Sequence, residues 1–250
     1  MFKYCPNIYT GSLDGRNVNA AINHAKEEFP NESCGIISEG KYIKFKNESE
    51  TPEESFEIKD DLYYELYINE KVECIVHSHN DSNRASKMDQ IQQKEIDVPF
   101  LIINLRNRSL MDCIVFGEKE PAPLEGRPFF WGALDCTTLA ADWVKQIYDF
   151  QIEYPPHDFD FWIKQEDLFE TYLREDTPFY EVDIKDKKPG DILLYNIDGS
   201  RFINHIAVYL SDNGEVLHHM YNNISGRYPF NFNRKYLRKV MRFDNDNSIR

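Results

Sequence analysis

GRPFFWGALDCTTLAADWV, residues 126–144, sets a cysteine at the boundary between two kinds of chain. Up to Asp135 the segment is rich in glycine, proline and aromatic residues, which is loop composition. From Cys136 onward, Leu139, Trp143 and Ile147 recur at helical spacing. The spacing predicts a helix over 136–150 with Cys136 in its first turn. Unpaired backbone N–H groups and the helix dipole favour negative charge there, and the thiolate is the nucleophilic form of cysteine. Such a nucleophile needs a base, and the base needs a group that orients it.

Both are found downstream. After the turn and apolar run KPGDILLYN (188–196), the stretch INHIAVYL (203–210) opens a strand at His205. VLHHM (216–220) carries His218 and His219, and the turn DNG (212–214) joins the two runs as a hairpin. Across such a pair residues 205 and 218 come close, so His218 can hold the His205 ring in one tautomer. The chain order cysteine, histidine, polar residue is the papain-like one.

Toward the N-terminus, GEKEPAPLEGRP (117–128) holds three prolines, two glycines and several charges, and marks a domain boundary. Ahead of it the pattern predicts helices over 18–29, 60–70 and 86–96, the last with Ser86 as N-cap. Strands are expected at 34–38, 41–47, 72–77, 98–105 and 111–116. In KVECIVHSHN (71–80) two histidines stand one residue apart at a strand's end. Alternate side chains of an extended segment share a face, so His77 and His79 can grip one ion. Asp89, on the helix opened by Ser86, offers a third ligand. Glu32, in PNESCGII (30–37), offers a general base at the start of a neighbouring strand. Beyond the boundary, residues 163–174 are expected to be helical, and the basic run RKYLRKVMR (234–242) is read as a solvated face. His24 is assigned to helix packing, and His157, in YPPHDF (154–159), to a loop fixed by local hydrogen bonds.

Composition bounds the rest. With 41% hydrophobic and 14% aromatic residues in 250, the chain can build two cores of ordinary size. A formal net charge of −14 argues against a nucleic-acid partner, whose phosphates want a basic face. No apolar run approaches the roughly 18 residues of a membrane span. The first fifteen residues lack the layout of a secretory signal, which leads to the expectation of a protein made in the cytosol. Five cysteines (Cys5, Cys34, Cys74, Cys113, Cys136), without a C-x-x-C pair, read as reduced thiols. Four lie in or near apolar runs as core residues, and Cys136 is set apart from them.

Two resemblances follow. A glutamate before a Cys-Gly-apolar strand, then H-S-H, then S-x-x-D, resembles the JAB/MPN metalloprotease pattern over roughly residues 15–116, with the asparagine and phenylalanine of KNESETPEESFEI (46–58) included. The resemblance implies zinc on His77, His79 and Asp89, Glu32 acting on a water, and Ser86 at the oxyanion. Two departures stand out: Asn80 replaces the usual proline, and six residues (80–85) separate His79 from Ser86 instead of seven. W-G-x-x-D-C (131–136), P-G-D (189–191), N-H-x-A-x-Y-L (204–210) and a later histidine resemble the NlpC family of papain-like peptidases over roughly 124–242. That implies Cys136 as nucleophile, His205 as base and His218 as its orienting residue, with His219 the alternative to His218. Phe129 stands where many members have a tyrosine whose hydroxyl assists the oxyanion.

The two patterns in this order resemble the tail-tip assembly protein K family of lambda-like phages. YPPHDFDFW (154–162) and SGRYPFNFNRKYLRKVMRF (225–243) strengthen the likeness. The resemblance implies an α+β chain of two domains: a JAB/MPN-like mixed α/β domain at 1–118 and a papain-like NlpC α+β domain at 119–250. It implies a tail-tip protein that cleaves peptidoglycan as a cysteine endopeptidase, with one zinc ion in the N-terminal domain. Its partners would be other tail-tip proteins and peptidoglycan stem peptides, and its places the host cytoplasm during assembly and the virion tail tip. A non-catalytic assembly factor, and a metalloprotease that processes another tail protein, are the alternatives.

Overall fold

The computed structural model describes residues 7–245 apart from 83, 159, 162, 165–167, 170–172, 174–176 and 233. Cys5 and most of the helix expected at 163–174 lie outside them; residues 168 and 169 of that stretch are helical. The chain is α+β with two sheets, and divides into two compact units, Met1–Ala122 and Pro123–Arg250.

The first unit contains β1 (Asn7–Tyr9), α1 (Gly15–Glu28), β2 (Cys34–Ser38), β3 (Lys41–Phe45) and α2 (Asp61–Ile68). It continues with β4 (Val72–Asn80), α3 (Lys87–Ile96), β5 (Phe100–Arg106) and β6 (Ser109–Phe116). The sheet order is β1-β6-β5-β4-β2-β3, with β4 and β5 parallel through the α3 crossover. The Asp14 carboxylate accepts the Arg16 N–H and starts α1. Val18, Ala21, Ile22 and Ala25, at 3–4-residue spacing, press that helix onto Cys74, Val76, Leu101, Ile103 and Val115. Alternation then turns Ile75, His77 and His79 of β4 to the opposite face. β4 runs on through Asn80, three residues past the expected end, because His77 and His79 ladder with Ile102 and Asn104 of β5.

The second unit contains α4 (Cys136–Tyr148), β7 (Phe179–Val182), β8 (Ile192–Tyr195), β9 (His205–Ser211), β10 (Glu215–His218), β11 (Gly226–Pro229) and β12 (Leu237–Phe243). The sheet is antiparallel throughout, in the order β11-β10-β9-β8-β12-β7. Leu139, Ala140, Trp143 and Val144 pack α4 onto Ile206, Val208 and Leu217. The other face of the sheet buries Leu193, Tyr195, Tyr209 and Val240. The basic run at 234–242 is corrected by the fold: much of it is β12, an interior strand between β8 and β7. Leu237 and Val240 are buried on one face and Met241 and Phe243 on the other, while Lys239 pairs with Glu181, so a strand buried on both faces was hidden among charges. Among the described residues no helix is long and apolar enough to cross a membrane.

Candidate functional site

In the first unit His77, His79 and Asp89 converge, all buried. The two Nε2 atoms lie 3.0 Å apart, and Asp89 reaches them with Oδ1 at 3.2 Å from His77 and Oδ2 at 3.3 Å from His79. Zinc bonds of about 2.0–2.1 Å put tetrahedral ligands roughly 3.3 Å apart, so this buried triangle fits that ion. The Glu32 Oε1 is 3.9 Å from His79 Nε2. Burial raises the Glu32 pKa against the pull of His79 and His77. Burial also opposes charge on His79, but Asp89 and Glu32 outweigh it and raise that ring's pKa.

Neighbouring elements hold these groups. Phe56 stacks on the His77 ring at 4.6 Å and 24°, and Phe100 meets it edge-on at 5.9 Å. Ser78, between the histidines, accepts the Ser33 N–H at 2.8 Å and so ties β4 to the Glu32 segment. His79 Nδ1 lies 3.1 Å from the Arg84 carbonyl, which orients the ring from outside. The six-residue loop is pinned by Asp81 N–H to the Leu105 carbonyl (2.7 Å) and Ser82 N–H to Asn104 Oδ1 (3.0 Å). Ser86 caps α3 in a reciprocal box: its hydroxyl accepts the Asp89 N–H at 3.1 Å, and Asp89 Oδ2 accepts the Ser86 N–H at 2.7 Å. The cap thus aims the same carboxylate that faces both imidazoles. His79, Glu32 and Asp89 open into a cleft of about 310 Å³.

In the second unit Cys136 is the first residue of α4, with Asp135 as N-cap. Asp135 is fully buried, and its Oδ1 accepts the N–H groups of Thr137 (2.9 Å) and Thr138 (3.1 Å). Its Oδ2 accepts the Gly132 N–H at 2.9 Å, where the left-handed φ of +73° suits a glycine. His205 opens β9 and His218 closes β10; His218 pairs with Ala207, which puts the two histidines diagonally on one face. His205 Nε2 lies 3.3 Å from His218 Nδ1. His219 faces elsewhere, edge-on to Phe129 at 5.0 Å, so the geometry pairs His218 with His205.

Cys136, set apart in sequence from the core thiols, is itself buried, at 2% exposure. It sits in one apolar cluster with Ile206 and Leu217, the chain neighbours of His205 and His218. Among the described residues no hydrogen bond joins its sulfur to either ring. Burial, with Asp135, pushes the thiol pKa up, while the backbone N–H groups of Ile206, Cys136 and Thr137 counteract in part. Burial pushes His205 well below its ordinary value, with His218 and His219 adding to the effect, and brings His218 and His219 to about 4. Burial thus disfavours the charged form of the thiol and of all three rings.

Residues 126–242 match the NlpC/P60 family. Tail tip assembly protein K of Escherichia phage lambda is 31% identical over 160 residues, 63% of this chain and 74% of that protein. The chain belongs to the tail tip assembly protein K family. The protein K of Escherichia phage N15 is similar over 232 residues at 28% identity, 86% of this chain and 88% of that one. Among solved structures, an NlpC/P60 family protein from Bacillus cereus is similar with a TM-score of 0.34 at 14% identity, over 88% of this chain and 66% of that one.

Three contributors in this K-family chain were given no role by the sequence reading. Phe56 and Ser78 stand inside the quoted motifs, but their work depends on which strands lie side by side. Asp135 was readable in part, since an acidic residue before a helical pattern signals an N-cap. Replacing it with alanine removes the cap and leaves the half-buried Gly132 N–H without this acceptor. The expected loss is about 3 kcal/mol of second-unit stability, measured by urea unfolding. Asn is expected to recover roughly half of it. His157 is buried, with Nδ1 3.1 Å from the Pro155 carbonyl and Nε2 3.7 Å from Asp135 Oδ2, so it braces the same carboxylate. His24 packs within α1, with Nδ1 2.9 Å from the Tyr42 hydroxyl.

Proposed function

We propose that this is a phage tail-tip protein whose second unit cuts the peptide stems of bacterial peptidoglycan as a cysteine endopeptidase. The observation that carries the reading is the His205–His218 pair, next in chain to the residues packed on Cys136 at the helix N-terminus. In the neutral pair, His205 donates its Nε2 proton to His218 Nδ1, which leaves Nδ1 of His205 as the basic nitrogen. As a stem-peptide amide enters, Cys136 loses its proton to that nitrogen and the sulfur bonds to the carbonyl carbon. The Cys136 backbone N–H faces the developing oxyanion, because the next two N–H groups are taken by Asp135. Collapse breaks the C–N bond, and the amine leaves with the proton held by His205. Water then hydrolyses the thioester, with His205 as base, releasing the carboxylate and restoring the thiol.

The first unit is proposed as a JAB/MPN-like domain that holds zinc on His77, His79 and Asp89. When bound, the ion supplies a Lewis acid. The chain's own part is to hold both rings and the carboxylate in place through Phe56, Arg84 and Ser86, and to move a proton at Glu32. The resulting protein works with other tail-tip proteins, is assembled in the host cytoplasm and is carried in the virion tail.

One experiment addresses both units: purified protein is given peptidoglycan fragments and assayed for metal. New amine termini are expected, undiminished by chelation, together with about one zinc per chain that is lost in His77→Ala. Intact fragments would remove the peptidase reading, and protein that takes up no zinc would remove the metal reading. The buried thiol and the missing Cys136–ring hydrogen bond favour a second reading, a non-catalytic assembly factor. Normal assembly and infectivity of Cys136→Ala phage would support it.

A further inference from the structure

The cleft beside His79 and Asp89 has a mixed lining. It includes Glu53, Glu54 and Phe56 of the 53–56 segment, and Arg84, Met88 and Gln92 from the loop and helix after β4. Glu53 and Glu54 are exposed and, among the described residues, have no ion-pair partner, although Glu48 and Glu57 nearby are each paired with a lysine. Their backbone is held firmly. The Asn80 amide donates to the carbonyls of Pro30 and Glu53, the latter at 3.3 Å. The Glu32 N–H donates to the Pro52 carbonyl at 2.6 Å, and the Asn47 amide donates to the carbonyls of Glu32 and Ser55, both at 2.9 Å. The residue that replaces a proline after the second histidine therefore ties the acidic wall to the strand that presents the imidazoles. Two unpaired carboxylates on a fixed backbone present their charge at the cleft with only side-chain rotamers left to order on binding.

We propose that Glu53 and Glu54 form a selectivity wall that admits peptide segments carrying a lysine or arginine beside the bond held at the cleft floor, with Asn80 as its positioning residue. The inference rests on reading this cleft as a peptide-cleaving site, and it adds the class of peptide. A pair of partly exposed charge contacts is expected to favour a basic over an acidic peptide by about tenfold.

The test is fluorescence anisotropy on full-length Glu32→Gln protein, with labelled alanine-rich octapeptides that carry a central Lys, Gln or Glu. The Lys peptide is expected to bind about tenfold tighter than the Glu peptide. Glu53→Gln/Glu54→Gln is expected to shrink the ratio below about threefold, while the charge-matched Glu65→Gln/Glu70→Gln, outside the cleft, keeps it. Asn80→Ala is expected to lower the ratio while both carboxylates remain. Chelation is expected to leave the preference in place, since the wall and not the ion carries it. Equal binding of the Lys and Glu peptides, or a preference that survives Glu53→Gln/Glu54→Gln, would overturn the proposal. A charge preference in Glu32→Gln protein, with wild-type protein that takes up no zinc and leaves the Lys peptide uncut, would sustain the wall and remove the metallopeptidase reading. If no peptide binds, both fall.

Discussion

Cys136→Ala is expected to lower the release of peptides from peptidoglycan by roughly 10³-fold or more, because no other group near His205 can form the thioester. The change deletes one buried atom, so unfolding free energy should move by about 1 kcal/mol and the zinc content of the other unit should not move. His218→Ala leaves the nucleophile in place and removes the acceptor 3.3 Å from His205 Nε2. The His205 ring is then free to take the wrong tautomer or orientation, and kcat is expected to fall about a hundredfold with little change in KM. His218→Gln, which still offers an acceptor oxygen, should recover part of that loss. If Cys136→Ala retained activity, the cysteine would not be the nucleophile. A His218→Ala effect confined to KM would remove its role as the orienting residue.

Acid is expected to unfold the second unit across a window set by its buried histidines. His218 and His219 have folded pKa values of about 4, below the ordinary value of 6.5, mainly because burial penalises the charged ring, and His205 is shifted in the same direction. The unfolded chain therefore binds more protons between these values, and stability rises with pH across the window. The contribution is fully present above about pH 6.5, is lost progressively as pH falls toward 4, and stays lost below. For each of the two rings it amounts to roughly 3 kcal/mol, at about 1.4 kcal/mol per pH unit. All three tryptophans of the chain fall within residues 123–250, so tryptophan emission, excited where tyrosine does not absorb, reports on this unit. Urea midpoints at pH 7, 5.5 and 4 should fall in that order, and His218→Gln/His219→Gln should flatten the slope. A midpoint constant down to pH 4.5 would show that these rings are not held neutral in the fold.

Much of the architecture was legible because local signals were strong. The Glu39-Gly40 turn, both residues with positive φ, closes the β2–β3 hairpin where it was expected. Ser86 caps α3, and the alternation of His77 and His79 does put both rings on one face. Other elements were invisible for a local reason. β1 is three residues long, and β12 mixes buried apolar residues with lysine and two arginines, so its composition resembles a surface. Only its pairing with β8 and β7 makes it interior.

The amino-acid sequence by itself determined the identity of the chemical groups and their order: Glu32, the H-S-H pair, Ser86 and Asp89, then Cys136, His205 and His218. Spacing determined which of them could share a strand face or a helix end, because backbone periodicity is a local property. The tertiary structure alone decided that His218, and not His219, meets His205. It also decided that Asn80 fastens an acidic wall to the imidazole strand, and that Cys136 is buried, which disfavours its thiolate. Those outcomes depend on solvent exclusion and on contacts between segments tens to a hundred residues apart, and neither is encoded in any short stretch of chain.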